Sequence, residues 1–408
     1  MTYVVSILFG LTYLGMALGR VPGLRIDRAG IALVVAVVLV AAGALPRGAM
    51  GEAIHFPTLL LLAGLMILSA RVGASGFYGE VATWIARQAE RPRLLLALTI
   101  AIGGILSAFL VNDIVVFAMT PPLCAGLAAR NLDPRPFLLG LAAASNAGSA
   151  ATLIGNPQNI LIGQAGALSF WGYFADAAIP SLAGLIISYV CVAYVWRASL
   201  KAPSTDAPSE AVSFDRLQVG ICGAALLLLL ILFASPLPRE ISALLVAAAL
   251  IISRTLPSRQ LLDEIDVPLL ILFAALFVIN DAFARTGIPE EAVRTLASYN
   301  LLPDRVSSLV PISLLLSNTI GNVPAVVMIL KVWHGIPEGT LVGLAILSTL
   351  AGNLLLVGSL ANLIVAERAA VQGVRVTFRD HAKAGLPMTI LSMLVAGLWL
   401  WIGGYMPL

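Results

Sequence analysis

Charge is what this chain has least of. Asp, Glu, Lys and Arg make up 11% of its 408 residues, against about 25% in an ordinary soluble domain, so a soluble globular fold is excluded. Histidine is nearly as scarce. His55, His334 and His381 are the only three; all are read as loop residues, which gives them little weight as a proton relay. Cys124, Cys191 and Cys222 stand alone inside apolar segments. They offer neither a disulfide framework nor metal-ligand spacing and read as small core residues. HExxH, GxSxG and a P-loop are all missing, which argues against an integral membrane enzyme and against an ATP-driven pump. No cofactor, resident metal or nucleic-acid partner is expected.

What is abundant is apolar length, at 60% of residues. A span of the bilayer core takes about 20 such residues and must satisfy its own backbone, so the reading is an all-α polytopic membrane protein in contact with membrane lipid. Candidate spans lie roughly at 3–19, 29–46, 57–74, a pair at 94–111 and 114–129, 136–166 and 171–195. A second series lies roughly at 217–235, 240–253, 267–284, a pair at 306–321 and 323–333, 340–366 and 384–405. The first span begins without a basic segment or a cleavage site and reads as retained rather than as a signal peptide. Residues 198–215 are rich in Ser, Pro, Ala and acids and read as a flexible cytoplasmic linker between two halves, 1–197 and 216–408.

The halves repeat. An offset of 211 pairs Arg28 with Arg239, Pro57 with Pro268 and Gly76 with Gly287. An offset of 210 pairs Ser107 with Ser317 and Asn112 with Asn322, and one of 203 pairs Ser145 with Ser348, Gly155 with Gly358 and Asn159 with Asn362. The slow drift of the offset and the Gly, Pro and Asn matches point to an internal duplication. With both termini outside the cytoplasmic (inner) membrane, 18 of the 24 Lys and Arg fall on the cytoplasmic side, as the positive-inside rule requires. Arg28 and Arg239 then lie on opposite faces. Each half therefore crosses an odd number of times, five by this count, and the halves form an inverted repeat.

Two features in each half break the helical pattern. The paired apolar segments meet at polar or helix-breaking tips, Val111-Asn112-Asp113 and Gly321-Asn322-Val323-Pro324, and read as re-entrant hairpins. The segment from Gly140 to Gly163 should span, yet it carries Ser145, Asn146, Ser149, Thr152, Asn156, Gln158 and Asn159 around Gly155 and Pro157. Such backbone is tolerated at bilayer depth only where protein buries it or a cavity accepts it, so it reads as a broken helix at a binding site. Inverted repeats with hairpins and broken helices place a secondary transporter's site near the midplane.

Asp113 is the sharpest signal. A carboxylate in the bilayer core costs about 2.5–3.5 kcal/mol even on permissive scales, so it should face a cavity, titrate or hold a cation. Asn112, Asn322, Asn159 and Asn362 form a symmetric set whose amides can coordinate Na+ or a hydroxyl-bearing solute, or else cap freed backbone. Ser145, Asn146, Thr152, Asn156, Ser317, Asn318, Thr319, Asn353 and Ser359 are secondary candidates, with back-bonding to their own helices the competing role for the hydroxyls. Half-helices starting at Pro157 and near Leu360 would aim positive ends at the centre. No Arg or Lys lies mid-span, so the site suits a neutral hydroxyl-bearing species, a monoanion, or an anion carried with cations. Asn280-Asp281 lies toward the outer end of its span, Arg71 is expected to snorkel at the cytoplasmic end, and amphipathic stretches near 77–91 and 288–298 read as interfacial arms.

The stretches LVNDIVVFAMTP, SNAGSAATLIGNPQNILIG, SNTIGNVPAVV and LVGSLANLIVAE together resemble the ion transporter superfamily. The likeness is to its arsenite permease, sodium/proton antiporter, citrate-transporter-like and divalent anion:sodium symporter-like branches. The resemblance implies a scaffold domain, a transport domain carrying the site, and elevator-type alternating access, and it suggests a homodimer. Asn112-Asp113 and the GNPQN break are closest to the arsenite permeases. The dicarboxylate symporters carry Ser-Asn-Thr at both tips; here Ser317-Asn318-Thr319 precedes the second tip and the first has Val-Asn-Asp. The expected function is ion-coupled (H+ or Na+) transport of a small anion, a metalloid such as arsenite, or an organic anion. A sodium/proton antiporter built on Asp113 is the alternative, and an uncoupled channel a weaker one.

Overall fold

The structure, a computed structural model, describes residues 1–18, 26–46, 49–201, 215–252, 257–299 and 301–408. Arg20, Arg25, Arg47, Arg254 and most of the linker, 202–214, lie outside the described residues. Every regular element among the described residues is a helix. The first series is α1 (Thr2–Leu18), α2 (Arg28–Ala41), α3 (Ala49–Ala53), α4 (Phe56–Ala74), α5 (Phe77–Ala86), α6 (Pro92–Phe109), α7 (Asn112–Ala128), α8 (Arg135–Ser149), α9 (Pro157–Ala165) and α10 (Phe170–Val195). The second is α11 (Arg216–Leu232), α12 (Arg239–Ile251), α13 (Ser258–Asp263), α14 (Val267–Ala284), α15 (Ile288–Ser298), α16 (Val306–Thr319), α17 (Asn322–Val332), α18 (Glu338–Ala351), α19 (Leu360–Val371) and α20 (Phe378–Ile402).

The elements start and stop where local chemistry dictates. Asp27, Asp215 and Asp266 each accept a backbone N–H at the start of α2, α11 and α14, and Thr377 and Asp380 form a reciprocal cap on α20. Gly76 and Gly287, a sequence-repeat pair, both take the left-handed conformation (φ 78° and 76°) that turns the chain from α4 into α5 and from α14 into α15. Five helices, α4, α6, α10, α14 and α20, are long and apolar enough to cross a membrane, with shorter apolar helices among the rest. Large apolar side chains such as Val37, Leu182, Ile186, Leu227 and Leu394 face outward, as they must against lipid tails.

Packing sorts the helices into two groups. In one, α2 lies on α14, α4 on α12, and α1 and α11 flank them. In the other, α8 packs on α6 and α10, α18 on α16 and α20, and α19 on α7. Small residues set the closest approaches: a Cβ on Gly148 would overlap the backbone of Gly104, and one on Gly64 would come within 3.0 Å of the Ala243 backbone, the mode by which helices associate where no hydrophobic force separates them from lipid. The groups meet where α4 and α14 touch the hairpin helices and α9.

Two expectations are corrected. Arg71 does not snorkel; it is 3% exposed, and its guanidinium donates to the Gln218 side chain beneath α11. The segment from 215 onward folds back on the end of α4, with the Asp215 N–H on the Ser75 carbonyl, and this covers it. His381 is not a loop residue either: it is the fourth residue of α20 and 2% exposed. The charged Arg379, Asp380 and Lys383 around it mimic a loop in sequence, whereas the cap at Thr377 starts the helix early.

Candidate functional site

The tips of both hairpins and the openings of both broken helices meet around one cavity. At the first tip Leu110 and Val111 are extended between α6 and α7. There the Asn112 N–H donates to the Gly155 carbonyl of the α8–α9 break (3.0 Å), and the Thr152 hydroxyl donates to the Ala108 carbonyl. At the second tip Asn318 Nδ2 donates to the Ala351 carbonyl (2.9 Å) while its Oδ1 accepts the Leu355 N–H (3.3 Å), and the Ser317 hydroxyl donates to the Ser348 carbonyl (3.2 Å). Each tip thus seals against the break of its own series.

The breaks themselves are built alike. Asn159 Nδ2 donates to the carbonyls of Ser149 and Thr152 (3.3 and 3.0 Å), and Asn362 Nδ2 donates to those of Gly352 and Leu355 (2.8 and 3.2 Å), the residues 203 further on. Each break also receives a side chain from the other series. Thr349 donates to Asn159 Oδ1 (3.2 Å) and accepts from Asn156 (3.3 Å). Asn146, at the position matching Thr349, donates to Asn362 Oδ1 (3.2 Å) and accepts from Ser359 (2.8 Å). Asn146 donates as well to Asn353 Oδ1 (2.8 Å). Buried polar groups cost least when fully connected, and these two clusters nearly are.

Between them lies a cavity of about 730 Å3. Asn112, Asp113, Asn146, Asn322 and Ser359 reach it, as do Gln158 and the first residues of both half-helices, Pro157 and Leu360. It opens past the starts of α2 and α14 and along α19, where Asp27, Arg28, Asp266 and Glu367 line it. Asp113 is half-buried and makes no ion pair among the described residues. The Oδ1 atoms of Asn112 and Asn322 are buried without a hydrogen-bond partner among the described residues.

The remaining candidates stand behind this wall. Asn156 caps α9 through the Asn159 N–H. Thr152, Asn159, Ser317, Asn318, Asn353 and Asn362 tie tips and breaks together and do not line the cavity. Ser145 is buried with no partner for its hydroxyl among the described residues, and Thr319 is exposed and bonds back to Leu315. Asn280 is buried and accepts from the Tyr13 hydroxyl (3.0 Å), while Asp281 pairs with Arg285 and Lys331, each at 2.7 Å. Thr349, Tyr173 and His381 belong to the network although their types gave no warning; the repeat offset of 203 would have pointed to Thr349, opposite Asn146, but not to the other two. Among the described residues no cluster of His, Cys, Asp and Glu could hold a metal ion.

The sequence pattern of a citrate transporter family matches residues 13–340. The chain belongs to that family. It is a multi-pass membrane transporter and not an enzyme. It is similar to the silicon efflux transporter LSI3 of Oryza sativa subsp. japonica, 26% identical with 95% of each chain covered. The inner membrane protein YbiR of Escherichia coli is 30% identical, with 84% of this chain and 87% of that one covered. Among solved structures, the YdaH transporter of Alcanivorax borkumensis matches with a TM-score of 0.57 at 13% identity, covering 100% of this chain and 99% of that one, a likeness of fold.

Proposed function

We propose that this family member is an ion-coupled secondary transporter of the inner membrane that carries a small, oxygen-rich solute of low charge by elevator-type alternating access. One observation carries the reading: a single cavity is lined jointly by two polar hairpin tips and the starts of two half-helices. Backbone N–H groups at those starts favour oxygens of a solute. Four carboxyl groups, on Asp27, Asp113, Asp266 and Glu367, line the same cavity against one guanidinium, that of Arg28, which disfavours a polyanion such as citrate unless cations accompany it. An uncharged hydroxylated species fits best, and the silicon named for the rice relative supports that choice.

The matched hydrogen bonds of the two breaks support inverted halves of five spans, with α6–α7 and α16–α17 re-entrant. With both termini outside, the cavity opens to the cytoplasm and the arrangement is inward-facing. Helices α1, α2, α4, α11, α12 and α14 would be the scaffold and the others the moving body. Asp113 exchanges a proton, or a cation, against the solute. A sodium-coupled variant, including sodium/proton antiport, is favoured by the buried, unpartnered Oδ1 atoms of Asn112 and Asn322. Vesicles holding a pH-sensitive dye, given silicic acid, arsenite, sodium, sulfate, citrate and succinate in turn, separate these cases. The expected result is proton movement with silicic acid or arsenite that Asp113→Asn abolishes. Equal signals from wild type and variant for every solute would refute the role of Asp113, and proton-independent flux dependent on sodium would select the second case.

A further inference from the structure

A relay of hydrogen bonds runs from each break to the cavity, and each relay ends in a side-chain oxygen with no hydrogen left to give. The starting points are fixed by the backbone. Asn159 and Asn362 use Nδ2 on carbonyls of their own breaks, so each turns Oδ1, which only accepts, toward the other series. In the second break Asn146 Nδ2 must then donate to Asn362 Oδ1 (3.2 Å), which leaves Asn146 Oδ1 to accept the Ser359 hydroxyl hydrogen (2.8 Å). In the first, the single hydroxyl hydrogen of Thr349 faces Asn159 Oδ1 (3.2 Å) and the Ala345 carbonyl (2.8 Å), both acceptors. Thr349 has none to give Gln158, so the contact between them (3.3 Å) is a donation from Gln158 Nε2. The Gln158 amide is thereby oriented. Its Oε1 has no partner among the described residues, and Gln158, 4% exposed, lines the cavity.

We propose that Gln158 is a specificity-determining residue of this transporter, selecting solutes that carry hydroxyl hydrogens. Its Oε1 accepts one such hydrogen, and the Ser359 oxygen, whose own hydrogen is held by Asn146, accepts another from the side of the second break. An anion that brings only oxygens, as sulfate does, would set lone pairs against lone pairs there. Buried groups left unpaired in this way are how a hydrogen-bonding site rejects a solute of the wrong kind. Donors are placed elsewhere. At the start of α9, Asn156 takes the Asn159 N–H with its side chain and the Ile160 N–H with its carbonyl, and Pro157 has no N–H, so only that of Gln158 is left. Ser359 makes no side-chain cap on α19, and the N–H groups of Leu360, Ala361 and Asn362 have no partner among the described residues. A hydroxyl both donates and accepts. A solute bearing several turns hydrogens to Gln158 and oxygens to the start of α19. The residue matching Gln158 in the repeat is Ala361, so this acceptor belongs to the first break alone.

This inference rests on the reading of the cavity as a transport site for a hydroxylated solute, and binding measured without flux keeps the two apart. Calorimetry on the full chain in nanodiscs would titrate silicic acid and arsenite, which carry hydroxyls at neutral pH, and sulfate, which carries none. Gln158→Met, or Gln158→Leu should that variant not fold, is expected to weaken the hydroxylated solutes about tenfold, the worth of one net hydrogen bond, and to leave sulfate within about twofold. Gln158→Glu is expected to hold them within about threefold of wild type, because a carboxyl that donates to Thr349 and a bare carboxylate both keep an oxygen on the cavity. Equal loss of sulfate and hydroxylated solutes in the Met or Leu variant overturns the proposal, as does no loss of either. So does a Glu variant as weak as the Met one, or a wild type that binds neither hydroxylated solute. Selective binding without ion-coupled flux in vesicles would sink the transport reading instead and leave the assignment of Gln158 standing.

Discussion

In the first series Tyr173 holds the opening carbonyl of the break, and in the second His381 does. Asp113 follows Asn112 at the first tip, whereas Val323 follows Asn322 at the second. Asn146 crosses to the second break where Thr349 crosses to the first. Against these differences stand the amides of Asn159 and Asn362, which hold matching carbonyls in matching ways. The comparison separates two tasks. What is alike keeps freed backbone satisfied at a depth where water cannot help, a cost of several kcal/mol per group if left undone. Of what differs, the tips are unequal in charge, since only the first carries a titratable carboxyl, Asp113 against Val323, so the ion chemistry is expected to be unequal between tips that share one geometry.

The comparison can be broken most sharply at the tips. Asp113→Asn is expected to lower proton-coupled flux by about 100-fold or more, since positioned proton transfer contributes on that scale; Val323→Asp added to it is expected not to restore the flux. Proton-dye signals per reconstituted protein check both. Next comes the close approach of α6 and α8. Gly148 has Ala351 as its counterpart, so Gly148→Ala is expected to cost about 2 kcal/mol by overpacking and Ala351→Gly no more than about 1 kcal/mol, read from thermal unfolding in detergent. Asn159→Ala and Asn362→Ala each free two carbonyls and should cost about 1–2 kcal/mol. The two should agree within about 0.5 kcal/mol if the breaks are equivalent, and a larger gap would separate them. The smallest effect belongs to an ion pair found in the second series alone, Asp281 with Lys331 across α14 and α17, whose first-series counterpart of Asp281 is Ala70. Lys331→Met should cost about 0.5 kcal/mol after solvent screening and fade in high salt, as unfolding at two salt concentrations would measure.

Much of this was legible from residue types. Gly155-Asn156-Pro157 cannot continue a helix and cannot face lipid, so a break at that place follows from sequence, and α8 ends at Ser149 with α9 starting at Pro157. Asp113 and Asn112 could be singled out for the same reason, and both line the cavity. The partners across the series were not legible. Thr349 sits in an apolar helix and looks like a hydroxyl that bonds back to its own turn, where the Ala345 carbonyl at 2.8 Å competes with Asn159 for its one proton; only packing brings Asn159 to it. Asp27 and Asp266 look like ordinary helix caps and are caps, yet the fold sets both at the mouth of the cavity. His381 was hidden by charged neighbours, and Asn159 and Asn362 turned their amides into the breaks rather than into the cavity. Side-chain type gives the cost of burial; which neighbour relieves it is decided by tertiary packing.

The most direct test of alternating access is labelling at Ser359, which lines the cavity at 6% exposure. In a chain with Cys124, Cys191 and Cys222 replaced by Ala, Ser359→Cys would be exposed to a membrane-impermeant maleimide from one side of oriented vesicles at a time. The account predicts modification from either side, slowed from both by the transported solute. Modification from a single side under every condition, or from both at rates the solute does not change, would contradict it.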